Sequence, residues 1–186
     1  DTLDAYGVKA TFFVTNCNED YTGCIGEIAR RGHTVAIHSA THDYRAIYQS
    51  EEAYFADLCR MQEIIFEQTG EYARLVRFPG GSSNTVSCYN PGIMSRLTSD
   101  LNDMGYAYFD WNVSAADTAS NATRYTVIEN IKEGVPQHDY SVVLQHDTNG
   151  FSVDAVEEIL AWGIQNGYSF RALDLTSPAV HHSVAN

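Results

Sequence analysis

The chain holds 186 residues, 24 acidic against 11 basic, for a formal net charge of −13, and 44% of its residues are hydrophobic. That supplies one domain, or slightly less than one, with a real core, while the acidic balance excludes nucleic acid because phosphate binding needs a basic face. No run is long enough for a transmembrane helix and no charged-then-apolar leader opens the chain, so any secretion signal is expected outside these residues.

Strand and helix patterns alternate almost throughout. Asp1 to Gly7 reads as the last turns of a helix stopped by glycine, with no strand before it, so the chain is expected to start inside a strand–helix unit. Residues 8–14 are β-branched and aromatic and predict a buried strand. Cys24 to Arg31 has helical spacing with Gly32 as its stop, and a short strand runs to Ile37. Ser50 is placed to cap a long helix over residues 51–68, which Gly70 ends. A strand at 74–77, a Gly/Ser/Asn loop and a helix near 92–104 follow. Then come a strand at 106–111, a helix at 123–132, a strand at 141–146, a helix at 153–165 and a last strand at 168–173. Strands separated by such helices imply a parallel sheet, open or closed into a barrel.

The chemistry-bearing residues follow the strands. His38 and His42 stand four apart after Thr34-Val35-Ala36-Ile37, and one helical turn there would let both rings reach one metal ion. Paired histidines also serve simply as caps or hydrogen-bonding groups. Arg77, Pro79, Gly80 and Gly81 follow the third strand, Asp117 lies beyond Trp111, and His146 and Asp147 follow Leu144. Singly, Arg77 could be a surface ion pair, Asp117 a loop residue and His146 a satisfied histidine. Their common position at strand C-termini, where parallel α/β folds build sites, is the stronger argument.

The four cysteines form no C-x-x-C pair; Cys17 and Cys24 flank a polar loop and could either bridge or stay free. Asn112-Val113-Ser114 and Asn121-Ala122-Thr123 are glycosylation-type triplets that matter only in a eukaryotic secretory setting. His181-His182 is expected in a solvated tail.

Taken together, these motifs resemble the polysaccharide deacetylase family, zinc-dependent carbohydrate esterases with a distorted (β/α) barrel. His38-Ser39-Ala40-Thr41-His42 is similar to the family's H-S/T-x-x-H, whose histidines bind the metal. Arg77-Phe78-Pro79-Gly80-Gly81 resembles R-x-P-x-G, which walls the groove, and Leu144-Gln145-His146 resembles L-x-H. The run from Trp111 to Asp117 resembles the motif whose aspartate tunes that last histidine.

The resemblance implies an α/β fold of the distorted-barrel type without its first strand, in a single catalytic domain over residues 1–186, N-terminally incomplete. It implies His38 and His42 as ligands of Zn2+ or another divalent metal. His146 becomes the general acid, Asp117 its partner, and Arg77 the residue that orients a base aspartate. Leu144 would line the acetate pocket, Pro79 and Trp111 the groove, and the Gly80 amide would donate to an oxyanion. Tyr44, Tyr89 and Trp111 could stack on sugar or simply pack.

Two departures stand out. The family's T-F-D-D-G, source of the base and of the third ligand, has no counterpart, since no two aspartates are adjacent anywhere. Asp1 and Asp4 sit on the helix that should follow that strand, so the missing pair is expected before residue 1. Thr118 and Gly80 stand where tryptophan and tyrosine are usual.

The expected activity is hydrolysis of N-acetyl groups from N-acetylglucosamine in peptidoglycan, with chitin-like glycans as a further substrate. The expected location, inferred from that substrate, is extracellular or in the cell envelope. The alternatives are a catalytically silent glycan-binding relative, an O-acetyl xylan esterase, or an unrelated metal site of storage or structural role.

Overall fold

The computed structural model describes residues 2–186, which form two compact units: residues 10–110 with 172–186, and residues 2–9 with 111–171.

The larger unit carries a four-stranded parallel sheet of β1 (Thr11–Thr15), β2 (Thr34–Ser39), β3 (Leu75–Val76) and β4 (Ala107–Tyr108), in that spatial order. Its first crossover is α2 (Cys24–Arg30), ended near Gly32 at φ +76°; α3 (Tyr44–Ile47) and α4 (Glu51–Thr69) make the second, and α5 (Ile93–Asp103) the third. Helix α4 forms as its signals predict. The Ser50 hydroxyl accepts from the Ala53 N–H, and Gly70 caps the other end at φ +72°. Its inward stripe is Tyr54, Leu58, Met61, Gln62 and Ile65, a helical spacing that packs against β2. Gln62 is polar yet buried, because its amide donates to the Ala73 carbonyl at 2.9 Å and accepts the Ala73 N–H at 3.0 Å. Both of its polar ends are satisfied.

Tyr54 is different. Its ring stacks on Tyr48 at 6.1 Å, but its buried hydroxyl has no hydrogen-bond partner among the described residues. A buried unsatisfied polar group costs about 1–3 kcal/mol, so Tyr54→Phe should stabilise the chain by about 1 kcal/mol. A higher urea midpoint at unchanged slope would show it, and an unchanged or lower midpoint would contradict it.

The smaller unit holds α1 (Thr2–Ala5), a two-stranded parallel sheet of β5 (Val113–Ser114) and β6 (Val143–Leu144), and three helices: α6 (Arg124–Gly134), α7 (Gly150–Val153) and α8 (Val156–Gln165). Ala115, Val127, Ile128, Ile131, Ala155 and Ile159 make its core. Helix α1 stops at Gly7, φ +63°, as expected, and Asp4 on it pairs with Lys9; Asp1 lies outside the described residues. Both glycosylation-type triplets do local structural work. The Asn112 amide bridges Val142 N and Tyr140 O, and Thr123 caps α6.

Five expectations change, one being that the strand expected at 141–146 is only the two residues of β6. β1 starts at Thr11 rather than at residue 8. The strand expected at 106–111 is two short pieces, β4 and β5, which belong to different sheets. The helix expected at 153–165 begins at Gly150 and breaks after Val153, an arrangement that seats Ser152 in the interior. The last strand does not form. Leu173 instead donates its N–H to Thr11 Oγ1 at 2.7 Å and accepts from Thr34 Oγ1 at 3.0 Å, so side-chain hydroxyls stand in for a ladder. No helix among the described residues is long and apolar enough to cross a membrane.

Candidate functional site

In the larger unit the candidate residues lie where parallel strands end. His38 is the next-to-last residue of β2, but the chain beyond the strand is not helical, which corrects the helical-turn expectation. The strand passes into a tight turn in which His42 takes φ +54°, a left-handed conformation that non-glycine residues seldom adopt. That turn, not helical spacing, brings the imidazoles to 5.1 Å between centroids.

His38 Nδ1 lies 2.7 Å from the Arg77 carbonyl. A carbonyl only accepts, so Nδ1 carries the proton and Nε2 keeps its lone pair. His42 packs edge-on against Tyr44. The donor chemistry suits a zinc-class ion at two of its positions. Among the described residues no third His, Cys, Asp or Glu joins the two in a group able to hold a metal.

Arg77 follows β3 directly and is only 7% exposed. Its Nε donates to the Phe109 carbonyl at 2.9 Å, its Nη2 to the Asp110 carbonyl at 3.0 Å, and its guanidinium lies 4.2 Å from the Phe13 ring centroid. Burial pulls its pKa down to about 10, with the Asp110 charge opposing. It stays a cation at neutral pH. The surface-ion-pair alternative does not apply to so buried a group.

The turn after Arg77 is held from three sides. The Tyr48 hydroxyl donates to the Pro79 carbonyl at 2.7 Å, and the Asn84 amide donates to Gly81 O at 2.8 Å. The wholly buried Asp110 carboxylate accepts from the Ser82 N–H, the Ser82 hydroxyl and the His182 N–H. Gly80 itself is exposed, at φ +77°, and a Cβ there would come within 3.0 Å of Asn84 Cβ. Glycine is required on both counts. His181 is exposed, as a solvated tail implies, but both histidines are held in place: His181 stacks on Tyr108 at 3.8 Å, and His182 Nδ1 pairs with Ser83 Oγ at 2.9 Å.

In the smaller unit, Asp117 and His146 form a pair. The Asp117 side chain is 2% exposed and accepts from His146 Nδ1 at 2.8 Å, from the His146 N–H at 2.6 Å and from the Ser152 hydroxyl at 2.6 Å. Ala116, at φ +51°, turns the chain just before it. Burial pushes the carboxyl pKa up, but the hydrogen bonds from Ser152 and His146 and the His146 charge outweigh it and hold it below the usual value. Since Nδ1 donates to a carboxylate, Nε2 is the free ring atom of a 39% exposed imidazole. Leu144 lies on β6 and Trp111 precedes β5; both are half-buried.

Some expectations resolve without touching this chemistry. All four cysteines are free and exposed, so Cys17 and Cys24 are not bridged. The Tyr89 hydroxyl donates to the carbonyls of Tyr44 and Arg45. Sequence reasoning missed Tyr48, Asp57, Ser82, Asp110, Ser152 and His182. Only Asp110 carried a signal, a carboxylate directly before Trp111 at the end of a predicted strand.

A sequence model of the polysaccharide deacetylase family matches residues 1–108. The peptidoglycan-N-acetylglucosamine deacetylase of Bacillus cereus is 28% identical over 178 residues, covering 92% of this chain and 62% of that protein. The corresponding enzyme of Listeria monocytogenes, PgdA, is 26% identical over 175 residues, covering 94% of this chain and 34% of that protein. This chain therefore spans less than two thirds of either relative. Among solved structures, the catalytic domain of peptidoglycan N-acetylglucosamine deacetylase from Eubacterium rectale superposes with a TM-score of 0.98 at 55% identity, over 100% of this chain and 86% of that one. The expected α/β fold class is that of this structure.

Proposed function

Because the chain belongs to the polysaccharide deacetylase family, we propose that its 186 residues act as one catalytic domain that hydrolyses the N-acetyl group of N-acetylglucosamine units in peptidoglycan. The observation that carries this reading is the His38 Nδ1 bond to the Arg77 carbonyl. It fixes the tautomer in which Nε2 carries the lone pair, beside a second imidazole, as metal ligation requires.

His38 and His42 would hold Zn2+ or another divalent ion. Bound there, such an ion supplies Lewis acidity, polarising the acetyl carbonyl and acidifying the attacking water. Apart from taking the water's proton, the part the family gives to its adjacent-aspartate motif, the roles fall to the chain's own residues. The Gly80 N–H, in a turn pinned by Tyr48, Asn84 and Asp110, donates to the developing oxyanion. His146 delivers a proton from Nε2 to the leaving amine, while Asp117 holds Nδ1 and stabilises the imidazolium. Arg77 anchors the loop that carries Pro79 and Gly80 and places positive charge beneath it. Leu144 offers an apolar surface to the acetyl methyl group, and Trp111 a stacking surface to the sugar. A peptidoglycan substrate puts the protein outside the cell or in its envelope.

A second reading is a glycan-binding relative without turnover: among the described residues no third His, Cys, Asp or Glu joins His38 and His42 in a metal-holding group. One experiment separates the two. Bound zinc and acetate release from N-acetylglucosamine oligomers, peptidoglycan and acetylated xylan are measured for the chain, His38→Ala and His146→Ala. The deacetylase reading expects release from the first two substrates. Losing a residue that merely orients a metal ligand typically costs about 10–100-fold, so removing the His38 ligand should cost at least about 100-fold in zinc affinity and in rate. His146→Ala should lose rate and keep zinc. Release surviving both substitutions would sink the reading. Zinc without turnover would favour an N-terminally shortened enzyme or the silent relative, and release from xylan alone an esterase.

A further inference from the structure

We infer that Asp57, on the middle of α4, is the positioning residue of the histidine turn and sets the geometry with which His38 and His42 meet a metal ion. This rests on the reading of those histidines as ligands. Four hydrogen bonds converge on this one carboxylate. Oδ2 accepts from Ser39 Oγ at 2.7 Å and from the Ala40 N–H at 2.9 Å, and Oδ1 accepts from the Thr41 N–H at 3.0 Å and Thr41 Oγ1 at 2.7 Å. Every residue between the two histidines is therefore bonded to Asp57.

The link reaches His42 through a single atom. Ser39 Oγ spends its only proton on Asp57 and uses a lone pair to accept the His42 N–H at 2.8 Å. His42 is also the residue at φ +54°, a conformation that persists only where the surroundings over-determine it. Asp57 supplies that over-determination from a rigid base, since its helix is anchored by Tyr54, Leu58 and Met61, each at most 3% exposed. His38 is held separately, by the Arg77 carbonyl. The two rings are thus oriented by two independent devices, a carbonyl for one and a carboxylate-clamped turn for the other.

An asparagine in place of Asp57 keeps one acceptor oxygen and turns an NH2 toward one backbone N–H and one hydroxyl, so the N–H bond is lost and the hydroxyl bond survives only by reversing direction. Metal binding isolates this effect from simple destabilisation. Zinc affinity of the folded chain, Asp57→Asn, Ser39→Ala and Thr41→Val is measured by competition with a chromophoric chelator, beside thermal midpoints. Zinc Kd should rise about 10–100-fold in Asp57→Asn, with a smaller rise in Ser39→Ala. The Asp57→Asn, Ser39→Ala double variant should fall short of the product of the single effects, because both act through one relay. Asp57→Glu should recover part of the affinity.

A folded Asp57→Asn that binds zinc as wild type does would overturn the inference. Should Asp57→Asn fail to fold, unchanged affinity in both Ser39→Ala and Thr41→Val would overturn it instead. Zinc affinity insensitive to His38→Ala as well would remove the metal reading itself, and this role with it.

Discussion

Asp117→Asn is expected to lower acetate release on the order of 10³-fold and to destabilise the fold by about 3 kcal/mol, while zinc remains bound. The wild-type carboxylate faces three donors, the His146 ring, the His146 N–H and the Ser152 hydroxyl, from a side chain 2% exposed. An amide offers one acceptor oxygen and a competing NH2. It also removes the negative charge that stabilises a cationic imidazole, which the proton-delivery step needs. The stability part has a pH signature. The folded pKa of Asp117 lies below its ordinary value, so its contribution is complete above the unfolded carboxylate pKa and is lost as pH falls through the folded one. Urea unfolding curves of wild type and variant should be widest apart at neutral pH and converge below about pH 4. A gap constant across pH would assign the loss to packing instead of charge.

Arg77→Lys, a nominally conservative change, should cost about 3–5 kcal/mol, or about 10 °C of thermal midpoint in a chain of this length. Guanidinium geometry is the reason. Two nitrogens of one planar group reach the Phe109 and Asp110 carbonyls while the plane lies over Phe13. A lysine ammonium keeps the charge but not the fork, leaving a carbonyl and a cation poorly paired in the interior. The His38 partner is the main-chain carbonyl of residue 77, so zinc affinity of the folded fraction should change little. Thermal unfolding and chelator competition check the two parts separately. A midpoint within about 1 °C of wild type would show that the fork does not hold these strands.

The chain announced its site through residues that break a local pattern. His38, Arg77 and His146 are polar groups at the ends of apolar strands, and the glycines after Phe78 demand a special backbone. Both signals live within a few residues of sequence. Asp57 gave none, because on α4 it reads as one more polar position of an amphipathic helix, and its partners lie 16–18 residues away. Asp110 and His182 meet across 72 residues, a distance no local pattern spans. The strand predicted at 168–173 does not form, for a related reason. Residues 168–173 have strand composition, but β structure is a property of pairs, and here the neighbouring hydrogen bonds come from threonine side chains.

His42 shows how far a stable backbone and a working site can diverge at one position. The main chain there, at φ +54°, would be most at ease with glycine or asparagine. Any selection for thermal tolerance alone would drift toward those residues and discard the imidazole without penalty to the fold. Stabilised versions of this protein chosen blindly would therefore lose a candidate metal ligand first, and a library meant to keep it must hold residue 42 fixed.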